Sequence, residues 1–436
     1  MLNFETKFCS EPVAGRNEGP GPLINLAVFI LTAVALLSST LPVSAQAPVE
    51  EISIERALEM FYQNNYDLLI SRYEIEKSYA DYVGTKLFPN PTLSVNKTGM
   101  DLNNHLTNNE NTQDTIRLDQ LIELGGKRGL RQNAAAETLE AARLTHRDTA
   151  RTLLIGFYTL YFNLYQDSLS RDLALQEIGR FGRILDIAGK RHNAGFLSLN
   201  DYTKLKLSAI DLENSLTSVE NQLRNNSESF ALLLGNPGPL LPVKMAPLTA
   251  FDTVSENEML EIAYKNRYDL LSLERQIGAA GHNLALAKAM RIPDVTLGVE
   301  WERFYPNYDP GLGVGLSLPL PLFNRNQGEI LRKTAEQKQL EIQMVKVKRL
   351  IVAEIRQAIN NYATSVRIFQ SYQTRKPEMD ELLMRTEKSF ALGGITVLEL
   401  LDTQKTYREF NVKYNQALAQ SNLSRELIKL YTGTIK

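Results

Sequence analysis

One thirteen-residue stretch of this chain occurs twice, and that duplication constrains the fold more than anything else in the sequence. Ala57–Leu69 (ALEMFYQNNYDLL) returns as Met259–Leu271 (MLEIAYKNRYDLL), 202 positions later, with eight of the thirteen residues identical. Downstream, Pro89-Asn90-Pro91-Thr92-Leu93-Ser94-Val95 is echoed by Pro293-Asp294-Val295-Thr296-Leu297-Gly298-Val299, and Gly195 and Gly235 by Gly394 and Gly433. Between the copies lies Gly235-Asn236-Pro237-Gly238-Pro239-Leu240-Leu241-Pro242, a stretch no helix or central strand accommodates. The predicted division is a signal segment at 1–45, a first repeat at 46–235, a Pro/Gly-rich linker at 236–253 and a second repeat at 254–436.

Each copy has the order helix, two strands, a very long helix, a turn and another long helix. The strands alternate. Val295, Leu297, Val299 and Trp301 face one way, with Thr296, Gly298, Glu300 and Glu302 opposite. The returning strand carries Leu312, Val314, Leu316, Leu318 and Leu320 against Gly311, Gly313, Gly315 and Ser317. In the first copy Leu93 and Val95 oppose Thr92, Ser94 and Asn96, and Ile116, Leu118 and Ile122 oppose Thr115, Arg117 and Asp119. One apolar and one polar face over about ten residues fits a membrane-barrel strand. A soluble hairpin with one buried face gives the same alternation. Charge and glycine on the polar face favour a water-filled lumen, and Trp301, Phe304, Tyr305 and Tyr308 gather at one end as an interfacial girdle would.

The helices carry the rest. Lys127 to Arg191 holds no proline, and Gly328 to Leu392 holds only Pro377, predicted to kink or divide its helix. Each stretch would reach ~95 Å if helical throughout. The spacing of Leu205, Ala209, Leu212, Leu216, Val219 and Leu223, and of Leu153, Phe157, Leu160 and Leu164, marks coiled-coil packing.

Leu23–Leu37 is an apolar run of 15 residues, short of the ~20 a spanning helix needs. Val43-Ser44-Ala45 follows as a small-residue cleavage site, so a cleaved export signal is expected, with an uncleaved N-terminal anchor as the alternative. Cys9, the single cysteine, precedes that run, which excludes a disulfide framework and a cysteine metal centre. His105, His146, His192 and His282 never cluster. A net charge of −2 argues against nucleic acid as a partner. Mean hydropathy of −0.23 argues against a bundle of membrane helices.

Four strands cannot close a barrel, and open sheet edges in lipid cost several kcal/mol per unpaired backbone group. Bacterial barrels have at least about eight strands. A barrel built from this chain must therefore be shared: a dimer would give eight strands, a trimer twelve.

The tandem repeat, the opening ALEMFYQNNYDLL, the Pro89-Asn90-Pro91-Thr92-Leu93 entry to the strands and the glycine-bearing helix turns resemble TolC-like outer-membrane efflux proteins from Ile52 to Gly433. Leu318-Pro319-Leu320-Pro321-Leu322-Phe323-Asn324-Arg325-Asn326-Gln327-Gly328 is most similar to the branch serving cobalt-zinc-cadmium and copper-silver pumps. That branch often carries a lipid-anchoring cysteine at its mature N-terminus; here membrane insertion should rest on the barrel alone. The resemblance implies a mixed, mostly α fold. Its parts are a homotrimeric twelve-stranded β-barrel in outer-membrane lipid and a long α-helical periplasmic barrel docking to an inner-membrane resistance-nodulation-division pump through a periplasmic adaptor. No cofactor or catalytic residue is implied. The regions 100–114 and 304–310 would be external loops.

By the same resemblance Ala194-Gly195-Phe196-Leu197-Ser198 and Leu392-Gly393-Gly394-Ile395-Thr396 are periplasmic tips that contact the adaptor. Plain hairpin chemistry gives such turns too, with glycine ending one helix and Ser198 or Thr396 capping the next. Glu399 and Asp402 share one helix face. The resemblance puts them in an acidic ring at the tunnel entrance, where repulsion among six carboxylates would raise some pKa values. A solvated flank paired to Lys405 or Arg408 is the ordinary alternative. Arg385, Glu387 and Asp201 are further candidates for closing contacts. No nucleophile-elbow, phosphate-loop or metalloprotease motif occurs, which argues against an enzyme. A secreted coiled-coil scaffold would explain the heptads but not the strands. Heavy-metal cations are the expected cargo, with drugs or other small molecules as the alternative.

Overall fold

The computed structural model describes residues 50–99, 112–243, 255–305 and 309–434. The expected signal segment, Tyr308, most of the two external loops and the later part of the linker lie outside them. The first half runs β1 (Glu50–Ile52), α1 (Ile54–Asn64), α2 (Tyr66–Lys86), β2 (Thr92–Thr98), β3 (Gln113–Ile122), α3 (Lys127–Asn193) and α4 (Leu199–Leu233). The second runs β4 (Leu240–Pro242), α5 (Glu256–Asn266), α6 (Tyr268–Ala289), β5 (Val295–Phe304), β6 (Gly311–Ser317), α7 (Gln327–Ala391) and α8 (Val397–Tyr431). Gln113, Asp114 and Phe304, expected in loops, lie in strands instead. β6 stops at Ser317, short of Leu318 and Leu320, because Pro319 has no N–H to give the ladder.

Among the described residues the elements form a wall four abreast. In the sheet the order is β2-β3-β5-β6, all antiparallel. Next to the sheet the helices follow the same order: α2 and α6 flank α3, and α7 lies beyond α6. Past mid-length, α4 and α8 replace α2 and α6. At 67 and 65 residues α3 and α7 each run ~100 Å, through both halves of the wall. The strand-to-helix joint at Gly125 and Gly126 uses positive φ at both residues, and the buried Lys127 ammonium meets Asp294 at 2.8 Å.

The expected coiled-coil stripes are where burial falls: Leu205, Leu212 and Leu223 on α4, Phe157 and Leu164 on α3. Pro377 does not divide α7. Phe369, Met379 and Leu383, on both sides of it, are buried, and the first packs with Tyr414 of α8, so tertiary packing offsets the ~3 kcal/mol cost of an internal proline.

The main core lies at mid-length, where Phe61 of α1, Phe157, Tyr161 and Phe162 of α3 and Phe230 of α4 form one aromatic cluster. There the predicted opening helix of each repeat is broken in two. At the first break, Asn65 accepts the Leu68 N–H at 2.9 Å and donates to the Leu233 carbonyl at the end of α4 at 2.7 Å. At the second, fully buried Arg267 binds Asp269 at 3.0 and 2.7 Å, Glu354 at 2.6 Å and the Tyr431 carbonyl at the end of α8 at 3.4 Å. Each break thus clasps the returning end of its own repeat. The approach is close: a Cβ at Gly235 would lie 2.5 Å from the Asn64 carbonyl oxygen, and one at Gly433 3.0 Å from that of Asn266. Only glycine fits, and φ is positive at both. β1 and β4 pair in parallel beside this core, so the start of the linker contributes an edge strand.

Candidate functional site

The four-stranded sheet has two chemically opposite faces. Register puts Leu93, Leu118, Val299 and Val314 in one row and Val95, Ile116, Trp301 and Leu312 in the next, all on one side. This face is bare within the protomer: Val314 is 89% exposed and Leu312 83%. A monomer in water does not present such a surface. Below the strands, Leu87, Phe88, Leu320, Leu322 and Phe323 extend the exposed apolar surface towards the helices.

The other face is charged. Arg117 donates to Asp119 at 2.9 Å and to Glu300 on the neighbouring strand at 3.2 Å, and Gln113 donates to Glu302 at 3.1 Å. Gly298, Gly313 and Gly315 lie on this face because the same side chains occupy the space above them. A Cβ at Gly313 would be 2.9 Å from the Glu300 side chain, and one at Gly315 3.2 Å from the Arg117 guanidinium. Of the expected aromatic girdle, Trp301 and Tyr305 follow the apolar parity, whereas Phe304 falls on the opposite one.

Both far ends of the long helices close by the same chemistry. After α3, Gly195 N–H donates to His192 O at 3.0 Å and Phe196 N–H to Arg191 O at 2.8 Å, with Gly195 left-handed at φ 81°. After α7, Gly393 N–H donates to Phe390 O at 3.0 Å and Gly394 N–H to Ser389 O at 2.8 Å, with Gly393 at φ 79°. These are Schellman closures. The structural counterpart of Gly195 is therefore Gly393, one residue before the sequence echo at Gly394, because the αL position is the first after the C-cap. Ala194 and Leu392 are those C-caps, and Phe196 and Leu392 are 77% and 79% exposed. Leu197 and Ile395 pack inward with Phe181 and Phe390.

Ser198 caps α4 by accepting the Asp201 N–H at 3.1 Å, and its hydroxyl donates to the Asp201 carboxylate at 2.8 Å, holding that carboxylate below its ordinary range. Thr396 and Glu399 form a capping box. Thr396 N–H and hydroxyl donate to Glu399 at 2.8 and 3.0 Å, and the Glu399 N–H donates to the Thr396 hydroxyl at 3.2 Å. Within a protomer these bonds lower the Glu399 pKa, opposite to the rise expected of a crowded ring. Asp402 is exposed, and Lys405 has no ion pair with it; Arg408 is held by Glu177 at 2.9 Å. Arg385 pairs with Glu381.

Two contacts that sequence reasoning missed tie the paired helices together near these ends. Arg191 of α3 donates to the Phe390 carbonyl of α7 at 2.6 Å, and its guanidinium lies 5.1 Å from the Phe390 ring. Higher up, Glu177 and Arg180 of α3 meet Glu387 of α7 and Gln404, Tyr407 and Arg408 of α8 around a cavity of about 20 Å³. Burial lifts the carboxyls of Glu177 and Glu387, and one Glu387 oxygen is buried without a hydrogen-bond partner. Among the described residues no group of three or more His, Cys, Asp or Glu is placed to hold a metal ion.

Among the described residues, a bare apolar outer face, a charged inner face, two unpaired sheet edges at β2 and β6, and helix pairs ending in exposed turns together describe one segment of a membrane cylinder. The family description "Outer membrane efflux protein" matches residues 57–236 and 259–434. The chain belongs to the outer-membrane efflux protein family. The cobalt-zinc-cadmium resistance protein CzcC of Cupriavidus metallidurans is 23% identical over 385 residues, covering 88% of this chain and 90% of that protein. The pyoverdine export outer membrane protein OpmQ of Pseudomonas putida is 22% identical over 413 residues, covering 87% and 86%. The fold matches the crystal structure of CusC with a TM-score of 0.74 at 15% identity, over 89% of this chain and 95% of that one.

Membership in this efflux family carries the homotrimer, the outer-membrane location with a periplasmic helical barrel, and operation with adaptor proteins and resistance-nodulation-division pumps. Three copies of the β2-β3-β5-β6 sheet give the barrel twelve strands and close every edge. The apolar rows then face lipid and Arg117, Asp119, Glu300 and Glu302 face the bore. The scaffold reading falls with this, because an aqueous coiled coil has no use for so large an exposed apolar sheet.

Proposed function

We propose that this efflux channel passes heavy-metal cations handed on by an inner-membrane pump, with the chain itself acting as a passive conduit and not as an enzyme. The similarity to CzcC along nearly nine-tenths of both chains carries this reading. OpmQ, almost as similar, favours small-molecule cargo as the second reading. A deletion strain should become sensitive to zinc, cobalt, cadmium or copper and regain resistance on complementation. Sensitivity confined to antibiotics or other organic compounds would overturn the metal reading.

The two tips, Ala194–Ser198 and Leu392–Thr396, serve in this reading as the adaptor-contacting surface, since they expose Phe196 and Leu392 at turns the fold itself leaves open. Glu399 and Asp402 form an acidic ring in the trimer, one pair from each protomer. Their clean test is Glu399→Gln with Asp402→Asn, because glutamine still completes a capping box while removing the charge. The double variant should lose block of single-channel conductance by di- and trivalent cations. Unchanged block would remove these residues from the ring. The division into repeats at 46–235 and 254–436 joined by 236–253 is the frame for these roles; the separate helix clasps at Asn65 and Arg267 support it.

A further inference from the structure

The lipid-facing side of the sheet changes character at its outer end. One row beyond Val95, Ile116 and Trp301, register places Lys97, Asp114 and Arg303 side by side on the same face. The ladder continues one step further, with Tyr305 N–H donating to Thr112 O at 2.9 Å, so Tyr305 shares this parity. Both cations converge on its ring: the Arg303 guanidinium carbon lies 4.6 Å from the ring centroid and the Lys97 ammonium 5.8 Å. Asp114 reaches Lys97 at 3.4 Å, and among the described residues Arg303 has no carboxylate partner. Among the described residues the row therefore carries two cations and one anion, and Arg303 is exposed.

Charge on a lipid-facing surface is costly in the hydrocarbon and is found at headgroup depth. Trp301 just below and Tyr305 just above mark that depth. The helices leave from the opposite end of the sheet and are periplasmic, so this row lies in the outer leaflet. That leaflet is built of a glycolipid whose sugar headgroup bears phosphates. Guanidinium and ammonium groups bind phosphate oxygens strongly, and a tyrosine hydroxyl can add a donor.

We propose that Lys97, Arg303 and Tyr305 form a site on each protomer for a phosphate of the outer-leaflet lipid A. Asp114 holds Lys97 upright beside Arg303 and leaves the guanidinium edge open to the headgroup. The site rests on the outer face meeting lipid and is independent of cargo: a metal channel and a drug channel would show it alike.

The test is binding of defined lipids to the purified trimer in neutral detergent, read by native mass spectrometry. Diphosphoryl lipid A should bind about tenfold or more tightly than its dephosphorylated form, the scale of one hydrogen bond to a charged group. It should also be preferred over phosphatidylglycerol. K97Q/R303Q should lose both preferences, and K97R/R303K should keep them. Should the double glutamine variant fail to assemble, R303Q alone is read by the same criterion. Equal binding of the phosphorylated and dephosphorylated forms, or of phosphatidylglycerol and lipid A, would overturn the proposal. So would a preference that survives the glutamine substitutions, or one lost equally in K97R/R303K.

Discussion

Reversing the polarity of a single position on the sheet's outer face tests the assignment of its two sides. Val299 sits in the middle of the apolar band, between Leu118 and Val314. A lysine near the bilayer midplane of a barrel costs about 2–4 kcal/mol. Three copies make that about 6–12 kcal/mol per trimer, as large as the whole stability of a typical folded domain, about 5–15 kcal/mol. The matched control is Thr115→Lys, which lies between Asn96 and Glu302 on the charged face and should change stability by no more than about 1 kcal/mol. Both variants are refolded into lipid vesicles, and the protease-resistant, heat-modifiable trimer is measured as a function of urea. Val299→Lys should insert poorly and lose its trimer at much lower urea, while Thr115→Lys should track the parent protein. Equal insertion of Val299→Lys, or equal damage from Thr115→Lys, would refute the assignment of faces.

The contacts near the helix ends give two more predictions. Arg191→Ala removes the bond to the Phe390 carbonyl; a hydrogen bond to a charged group contributes about 1.5–3 kcal/mol, reduced to about 1 kcal/mol by partial exposure. The α3 and α7 ends should separate more readily, raising the conductance of the resting channel, and an unchanged conductance would deny the clamp. At Glu387, burial lifts the carboxyl above its ordinary value of 4.5, despite nearby Arg180 and Arg183. Its protonated form therefore contributes stability that is complete below pH 4.5 and is lost as pH rises through the higher folded value. Glu387→Gln should abolish that part of the pH dependence, visible as the difference between parent and variant thermal stabilities across that window; parallel curves would contradict it.

Much of this architecture is legible in the sequence because the signals are local and doubled. Alternation at Val295–Trp301 and Leu312–Leu316 needs only a period of two, and the heptad stripe at Leu205–Leu223 only a period of 3.5. What sequence reasoning missed depends on contacts between distant segments. The breaks at Asn65 and Arg267 sit inside unbroken helical patterns, and they are fixed by carbonyls 168 and 164 positions away. The short β1–β4 pair has too few residues to show a pattern, and Pro377 stays helical because α8 packs beside it. For the helix ends, the turns and their caps at Ser198 and Thr396 are readable, whereas the αL residue is Gly393 and not Gly394, a distinction only backbone geometry makes. Arg191 gave no signal, and Glu387 stood out only as a candidate closing contact without a partner, since a single charge on a long helix looks like solvated surface until its partner is known. The lysine–arginine row at the outer margin was hidden for a related reason: Lys97 and Arg303 lie on different strands, and only register brings them level.

The most direct examination of the central claim is to count copies and conduction paths together. The mature protein, extracted in detergent and weighed by native mass spectrometry, should be a trimer, and the same preparation in a planar bilayer should show one conducting unit per trimer. A stable monomer that stays in solution without detergent, or three independent conduction steps from each trimer, would contradict a bore that no protomer encloses by itself.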